Sequence, residues 1–98
     1  MNISEHLLTC LAEEAAEVIH SVSKANRFGL KDGYPEKNTS NREDILREAV
    51  DFIAVMELLF ENQILPYLGE EEKKIMVKRK KEKIKHLMDY ARGRGALK

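Results

Sequence analysis

The sequence predicts an all-α fold: an antiparallel helical hairpin and a third helix, which assemble into an oligomeric helical bundle. Apolar residues recur at helical spacing in three segments, and helix start and stop signals bracket those segments. The chain has 98 residues, of which 43% are hydrophobic and 35% are charged. That length and composition predict a single globular domain over residues 1–98.

The first helix is predicted over residues 5–27, with Ser4 as its N-cap. Its apolar stripe consists of Leu7, Leu8, Leu11, Ala15, Val18, Ile19 and Val22. A loop containing Gly29, Gly33 and Pro35 follows. Because this loop is short, we expect the first two helices to pack antiparallel.

The second helix is predicted over residues 41–65 and begins with a capping box formed by Ser40 and Glu43. Its main apolar stripe consists of Ile45, Leu46, Ala49, Phe52, Ile53, Met56 and Phe60. Four more apolar residues lie outside that stripe, namely Val50, Val55, Leu58 and Leu59. A helix that is apolar almost all round is normally buried on several sides. We therefore expect a homodimer or homotetramer with this helix at its centre.

The third helix is predicted over residues 70–92, with three glutamates in its first turn and Gly93 at its end. It has a weaker apolar stripe, made of Val77, Ile84, Leu87, Met88 and Ala91. Residues 73–98 contain 11 Lys or Arg and 2 Asp or Glu, although the whole chain has a net charge of zero. The protein thus has an acidic body and a basic end.

Cellular location is indicated by the cysteine count and by hydropathy. Cys10 is the only cysteine, so an internal disulfide is excluded, and we interpret it as a small space-filling residue beside the acids described next. No N-terminal segment resembles a secretion signal. Apolar runs are shorter than the roughly 20 residues that cross a bilayer. These features predict a cytoplasmic protein that does not associate with membranes.

Four acidic residues are the strongest functional signal. Glu14 and Glu17 are spaced i, i+3 on the first helix, as are Glu48 and Asp51 on the second. Each pair lies on the same-handed flank of its apolar stripe. In an antiparallel hairpin the pairs therefore fall on one side of the hairpin, at similar heights. Four like charges repel unless a hard cation with oxygen ligands binds them. The sequence thus predicts a site for Mg²⁺, which Mn²⁺ would also fit; the alternative is ordinary surface charges.

These two acid pairs resemble the signature of the MazG-like all-α nucleoside triphosphate pyrophosphohydrolases. That signature is Glu-x-x-Glu on one helix and Glu-x-x-Asp on the next. Here the first motif ends Glu14-Ala15-Ala16-Glu17, and the second is Glu48-Ala49-Val50-Asp51. The match covers roughly residues 7–60 and is most similar to the short, single-domain proteins of bacteria and their phages.

The resemblance implies an enzyme that hydrolyses (deoxy)nucleoside triphosphates to monophosphates and pyrophosphate, in nucleotide-pool housekeeping. It implies a place in the cytoplasm of a bacterial cell, or of an infected host cell if phage-encoded. Glu14, Glu17, Glu48 and Asp51 would be metal ligands and catalytic residues, with Mg²⁺ neutralising phosphates and orienting a water. One of these acids, or Glu13, would be the general base; a surface charge explains Glu13 equally well.

Basic residues on two helices are candidates for binding the phosphates. Lys24 and Arg27 follow the acids of the first helix, and the resemblance also implies phosphate contacts from a later helix, for which Lys74 and Lys78 are the candidates. The alternative is that all four are solvated cations of helix surfaces and ends. Neutral total charge and the absence of interleaved aromatics argue against nucleic acid as the main partner.

Three residues near the first loop, Asn26, Phe28 and Tyr34, are candidates for contacting a base, and the alternative is that they form turns and a lid. Two other functions fit parts of the sequence. One is a non-catalytic interaction module whose basic helix binds a partner or nucleic acid. The other is a di-metal redox protein, because Glu17-x-x-His20 resembles half of a di-iron motif. We expect His20 to be a surface histidine, since it points away from the apolar stripe.

Overall fold

The computed structural model describes residues 1–33 and 35–98. These residues form three helices and no strand: α1 is Ile3–Phe28, α2 is Asn41–Glu61 and α3 is Glu70–Gly93. The prediction of an all-α fold is therefore confirmed. The chain divides into two compact units, Met1–Pro66 and Tyr67–Lys98. The single domain and the oligomeric assembly stay predictions.

α1 begins two residues earlier than predicted because its N-cap is Asn2 and not Ser4. The Asn2 side-chain oxygen accepts a hydrogen bond from the Glu5 backbone N–H at 2.8 Å. The helix ends at Gly29, whose φ of 101° lies in a region that glycine adopts at little cost. The Gly29 N–H donates to the Ala25 carbonyl at 2.8 Å, so the last turn keeps its bonding.

The predicted capping box at the start of α2 is confirmed. The Ser40 hydroxyl accepts a hydrogen bond from the Glu43 N–H at 3.3 Å, and the Glu43 carboxylate accepts one from the Ser40 N–H at 3.2 Å. This reciprocal bonding satisfies two backbone donors that a helix start otherwise leaves free. It also fixes where α2 begins.

α2 ends at Glu61, four residues before the predicted end. Gln63 has a φ of 57°, and the Ile64 N–H bonds back to the Leu59 carbonyl at 2.9 Å. The chain therefore turns out of the helix at this point. Ile64 and Leu65 continue the apolar pattern beyond the turn, which is why hydrophobicity alone extended the predicted helix.

α1 and α2 form an antiparallel hairpin, and backbone and side-chain bonds close its loop. The Asn41 side chain donates to the Gly29 carbonyl at 2.9 Å, and the Asn41 N–H donates to the Asp32 carbonyl at 2.6 Å. Gly33 packs so closely on the Thr39 carbonyl that a Cβ at position 33 would overlap it. The end of α1 is thus held against the start of α2.

The seam between the two helices follows most of the predicted apolar stripes. Half-buried members are Leu7, Leu11, Ala15 and Val18 of α1 and Ile45, Ala49, Phe52, Met56 and Phe60 of α2. Ser21 and Ala25 of α1 are buried, and Leu59 of α2 is fully buried at 0% exposure. Leu46 and Ile53, which the sequence assigned to the inward stripe, are 66% and 52% exposed. The polar Asn41 and Asp44 are buried on the inward side of α2, and Glu48 is half-buried there. The seam therefore contains polar as well as apolar side chains.

α3 is described by itself as the second unit. It begins with Glu70, Glu71 and Glu72 in its first turn and ends one residue after the predicted boundary. None of its residues is buried, so its apolar stripe stays accessible. Within the described part of the chain, no helix is long and apolar enough to cross a membrane.

Candidate metal centre

Three carboxylates from the two hairpin helices meet at one place. Glu14 of α1 and Glu48 and Asp51 of α2 each offer an oxygen, and these oxygens all lie within 4.8 Å of one another. Glu14 and Glu48 are half-buried and Asp51 is exposed. Glu14 lies two turns before buried Ser21 on the same face of α1, which is why it points into the seam.

Glu17 does not belong to this group of three, although the sequence predicted four converging acids. Its side chain is exposed, one turn further along α1. Its charge still acts on Glu14, and so, more weakly, does that of the exposed Glu13. The structure therefore brings together three of the four predicted ligands and leaves Glu17 beside them.

The electrostatics of the group show an excess of negative charge around Glu14. Burial raises the pKa of Glu14, and the charges of Asp51, Glu48, Glu17 and Glu13 raise it further, in that order. A proton or a cation at this place relieves both effects. Three carboxylate oxygens are the donor set of a hard divalent cation, whose remaining positions water or phosphate can fill. The residues present thus fit Mg²⁺ or Mn²⁺.

Arg47 is a neighbour of the acids that the sequence reasoning missed. Its guanidinium donates to the Glu48 carboxylate at 3.1 Å and lies 3.5 Å from the buried Asp44 carboxylate. Asp44 also accepts a hydrogen bond from the Thr39 hydroxyl at 2.9 Å. The i, i+3 spacing of Asp44 and Arg47 in the sequence could have predicted this ion pair. Arg47 neutralises part of the charge that a metal would otherwise meet.

A cavity of about 200 Å³ lies at the loop end of the hairpin. It is lined by Lys24, Phe28, Asp32, Gly33, Pro35 and Asn41. Lys24 follows Glu17 by two helical turns on one flank of α1, so the cavity and the acids lie along the same side of that helix. Lys24 and Glu14 are about 15 Å apart along the axis. The lysine that was predicted to bind phosphate thus lines the cavity, on the flank of α1 that carries the acids.

The remaining candidates lie outside the acid group. The Arg27 guanidinium lies 5.0 Å from the centre of the Phe28 ring. His20 and Asn26 are exposed, and Tyr34 lies outside the described residues. Cys10 is half-buried, and its sulfur lies 3.7 Å from a ring nitrogen of His6.

The two basic candidates of the third helix belong to the other unit. Lys74 and Lys78 are exposed on α3, where they line a shallow groove with Lys73, Val77 and Lys81. Lys74 also lies 3.5 Å from the Glu71 carboxylate. This groove is positively charged along most of its length, which suits an anionic ligand.

No family model, no curated protein and no solved structure matches this chain.

Proposed function

We propose that the protein is a metal-dependent nucleoside triphosphate pyrophosphohydrolase of the MazG-like type. One observation supports this most, the meeting of Glu14, Glu48 and Asp51 from two antiparallel helices within 4.8 Å. Half-burial and mutual repulsion make such a group costly without a cation. Bound Mg²⁺ would neutralise the phosphates and lower the pKa of an attacking water.

In this proposal each acid has a separate role. Glu14, Glu48 and Asp51 hold the cation, and Glu17 lies one turn from Glu14 with its carboxylate exposed. We assign the general base to Glu17 and not to Glu13, because Glu17 is spaced i, i+3 from Glu14 on the same flank of α1, whereas Glu13 faces away from the apolar stripe. Glu17 would take the proton of the attacking water as the bond between the α- and β-phosphoryl groups breaks.

The position of the cavity supports one orientation of the bound nucleotide along the hairpin. With the α-phosphoryl group at the acids, the sugar and base would extend along α1 towards the cavity, and the Lys24 ammonium would reach back to bind a phosphate oxygen. The base would then lie in the cavity against Phe28, where an aromatic ring offers a stacking surface. Arg27 remains a candidate for a contact at the rim of the cavity, and Lys74 and Lys78 of the second unit remain candidates for binding phosphate. The protein would act in the cytoplasm, as a homodimer or homotetramer.

The experiment is to measure pyrophosphate release from a panel of ribo- and deoxyribonucleoside triphosphates, with Mg²⁺ and with EDTA. The proposal expects Mg²⁺-dependent release with the monophosphate as co-product. Glu17→Gln should abolish release yet keep the Mg²⁺-induced rise in thermal stability, because Glu17 is not a ligand of the group. Glu13→Gln is the matched control and should keep most of the activity.

Two results would support other functions. If no triphosphate releases pyrophosphate and the protein is retained on DNA or on a protein partner in a salt-dependent way, the result would support an interaction module that acts through α3. Iron that co-purifies in a coloured sample would support a di-metal redox protein.

A further inference from the structure

Arg47 of α2 is a cation at the border of the acid group. Its guanidinium donates to the Glu48 carboxylate at 3.1 Å and lies 3.5 Å from the Asp44 carboxylate. The charge of Asp51 also acts on it. The Arg47 side chain is still 54% exposed, whereas the side chains of Glu48 and Asp44 are 14% and 10% exposed. The two carboxylates thus hold the guanidinium on the protein side, and solvent reaches the rest of it.

The Arg47 guanidinium has donors left for a further ligand. A guanidinium carries five N–H groups in a planar fork, and this fork matches two oxygens of a phosphate. The contacts with Glu48 and Asp44 involve one terminal nitrogen each, so they take at most one N–H each. Arg47 therefore offers an anion several N–H groups in a fixed orientation.

The Arg47 guanidinium lies on the cavity side of the acid group along the axis of α2. Side chains of a helix lean towards its N-terminus, and Arg47 accordingly reaches back to Asp44, one turn nearer the loop. Asn41, one turn before Asp44, lines the cavity. Glu48 and Asp51, on the other side of the guanidinium, belong to the acid group. Along α2 the positive charge of Arg47 thus lies between the acids and the cavity.

We propose that Arg47 binds the α-phosphoryl group of the nucleotide on the side that carries the nucleoside. This inference rests on the proposed function, which puts the α-phosphoryl group at the acids and the base in the cavity. A phosphoryl group between those two places brings negative charge to a half-exposed guanidinium, and charge-assisted bonds from arginine to phosphate are strong. The bond to Glu48 orients the guanidinium before the nucleotide binds.

This role gives Arg47 two effects of opposite sign at one site. Arg47 opposes the binding of a lone cation, because it competes with the cation for Glu48. It favours the binding of a nucleoside phosphate, because the phosphoryl group has the opposite charge. A residue that only stabilised the fold would affect both ligands in the same direction. The sign of the two changes therefore separates nucleotide binding from a structural role.

Calorimetric titration tests this role with two ligands: Mg²⁺ alone, and the 5′-monophosphates of adenosine, guanosine, cytidine and uridine in the presence of Mg²⁺. A monophosphate keeps the α-phosphoryl group and is not hydrolysed in the proposed reaction, so the measurement reports binding and not turnover. Arg47→Gln should weaken binding of the preferred monophosphate roughly tenfold or more, because it removes charge-assisted hydrogen bonds. The same variant should bind Mg²⁺ alone more tightly than the wild type.

Two further variants are the controls. Arg42→Gln removes the same charge from an exposed position in the first turn of α2 and should change neither binding constant. Arg47→Lys keeps the charge but lacks the planar fork, so it should recover only part of the monophosphate affinity.

Three results would overturn the inference. The first is monophosphate binding that is equal in the wild type and Arg47→Gln, or absent from the folded wild type at millimolar concentrations. The second is a loss of Mg²⁺ and monophosphate binding together, which would show a structural role. The third is a loss confined to inorganic pyrophosphate, which would place Arg47 at the leaving group.

The assay of pyrophosphate release separates this inference from the proposed function. Monophosphate binding that depends on Arg47, without release from any triphosphate, would support the role of Arg47 and refute the hydrolysis. Release from a triphosphate, with monophosphate binding that does not depend on Arg47, would support the hydrolysis and overturn the role of Arg47.

Discussion

Glu14 of α1 and Glu48 of α2 are both half-buried, and each has a carboxylate oxygen within 4.8 Å of the other and of one from Asp51. Glu14 opposes folding at neutral pH, because burial and the like charges of Asp51 and Glu48 raise its pKa and so disfavour its ionised form. Arg47 offsets this repulsion at Glu48 through a bond of 3.1 Å. Glu14 has no such bond among the described hydrogen bonds and ion pairs.

Removing the charge of Glu14 should stabilise the metal-free protein. Glu14→Gln keeps the shape of the side chain and removes a carboxylate whose pKa burial and Asp51 raise. In EDTA at pH 7, thermal unfolding of the variant should therefore occur a few degrees higher than in the wild type. With Mg²⁺ the wild type should unfold at the higher temperature, since Glu14→Gln loses a ligand of the metal. Glu13→Gln, at an exposed neighbouring position, should show neither change.

Stability of the metal-free protein should depend on pH in a direction set by Glu14. Its pKa in the folded state lies above the usual 4.5, so between these two values the folded state binds more protons than the unfolded chain. The unfolding free energy from this group therefore falls as pH rises through that window, and the loss is complete above it. Urea unfolding in EDTA from pH 4 to pH 7 measures this. Glu14→Gln should remove this component, and an unchanged profile would contradict the placement of Glu14.

Mg²⁺ affinity should increase when Arg47 is neutralised. Arg47 competes with a cation for Glu48, and Asp44 keeps its bond from Thr39 without it. Arg47→Gln should therefore tighten Mg²⁺ binding by up to about fivefold, which corresponds to a typical surface ion pair. Calorimetric titration measures the change. The Mg²⁺ affinity of Arg47→Lys should lie between those of the wild type and Arg47→Gln. Weaker Mg²⁺ binding by Arg47→Gln than by the wild type would show that Arg47 supports the site.

Two adjacent leucines of α2 should differ widely in their effect on stability. Leu59 is fully buried in the seam, and Leu58 is 44% exposed. Leu59→Ala should lower the unfolding free energy by about 2 to 4 kcal/mol, because it removes apolar burial and leaves a cavity. Leu58→Ala should lower it by less than about 1 kcal/mol. Chemical denaturation compares them, and equal losses would contradict the orientation of α2.

The sequence predicted the helices well because their signals are local. The Ser40 capping box and the spacing of apolar residues depend on neighbours within one or two turns, and the structure contains both. The end of α2 was wrong because Gln63 adopts a positive φ, which no residue pattern announced. The predicted N-cap of α1 was also wrong, because Asn2 caps the helix and not Ser4. Both residue types cap well, so the sequence alone did not distinguish them.

The packing of the hairpin was less predictable, since it depends on both helices at once. The pattern assigned Leu46 and Ile53 to the seam because apolar residues alone define a stripe. In the structure Asp44 and Glu48 share the inward side of α2 with most of the predicted stripe, and Leu46 and Ile53 at its edge are exposed. Glu48 lies beside Glu14, and Glu17 is exposed outside the group. The spacing of the acids therefore predicted that a cluster forms, but it did not predict which of the four acids belong to it.

Titration with Mn²⁺, followed by the paramagnetic resonance of the free ion, tests the metal centre most directly. The account predicts that the wild-type protein binds Mn²⁺, that Mg²⁺ displaces it, and that Glu14→Gln and Glu48→Gln each weaken binding at least tenfold while Glu13→Gln does not. Binding that is absent in the folded wild-type protein, or equal in all four proteins, would contradict a metal centre at Glu14, Glu48 and Asp51.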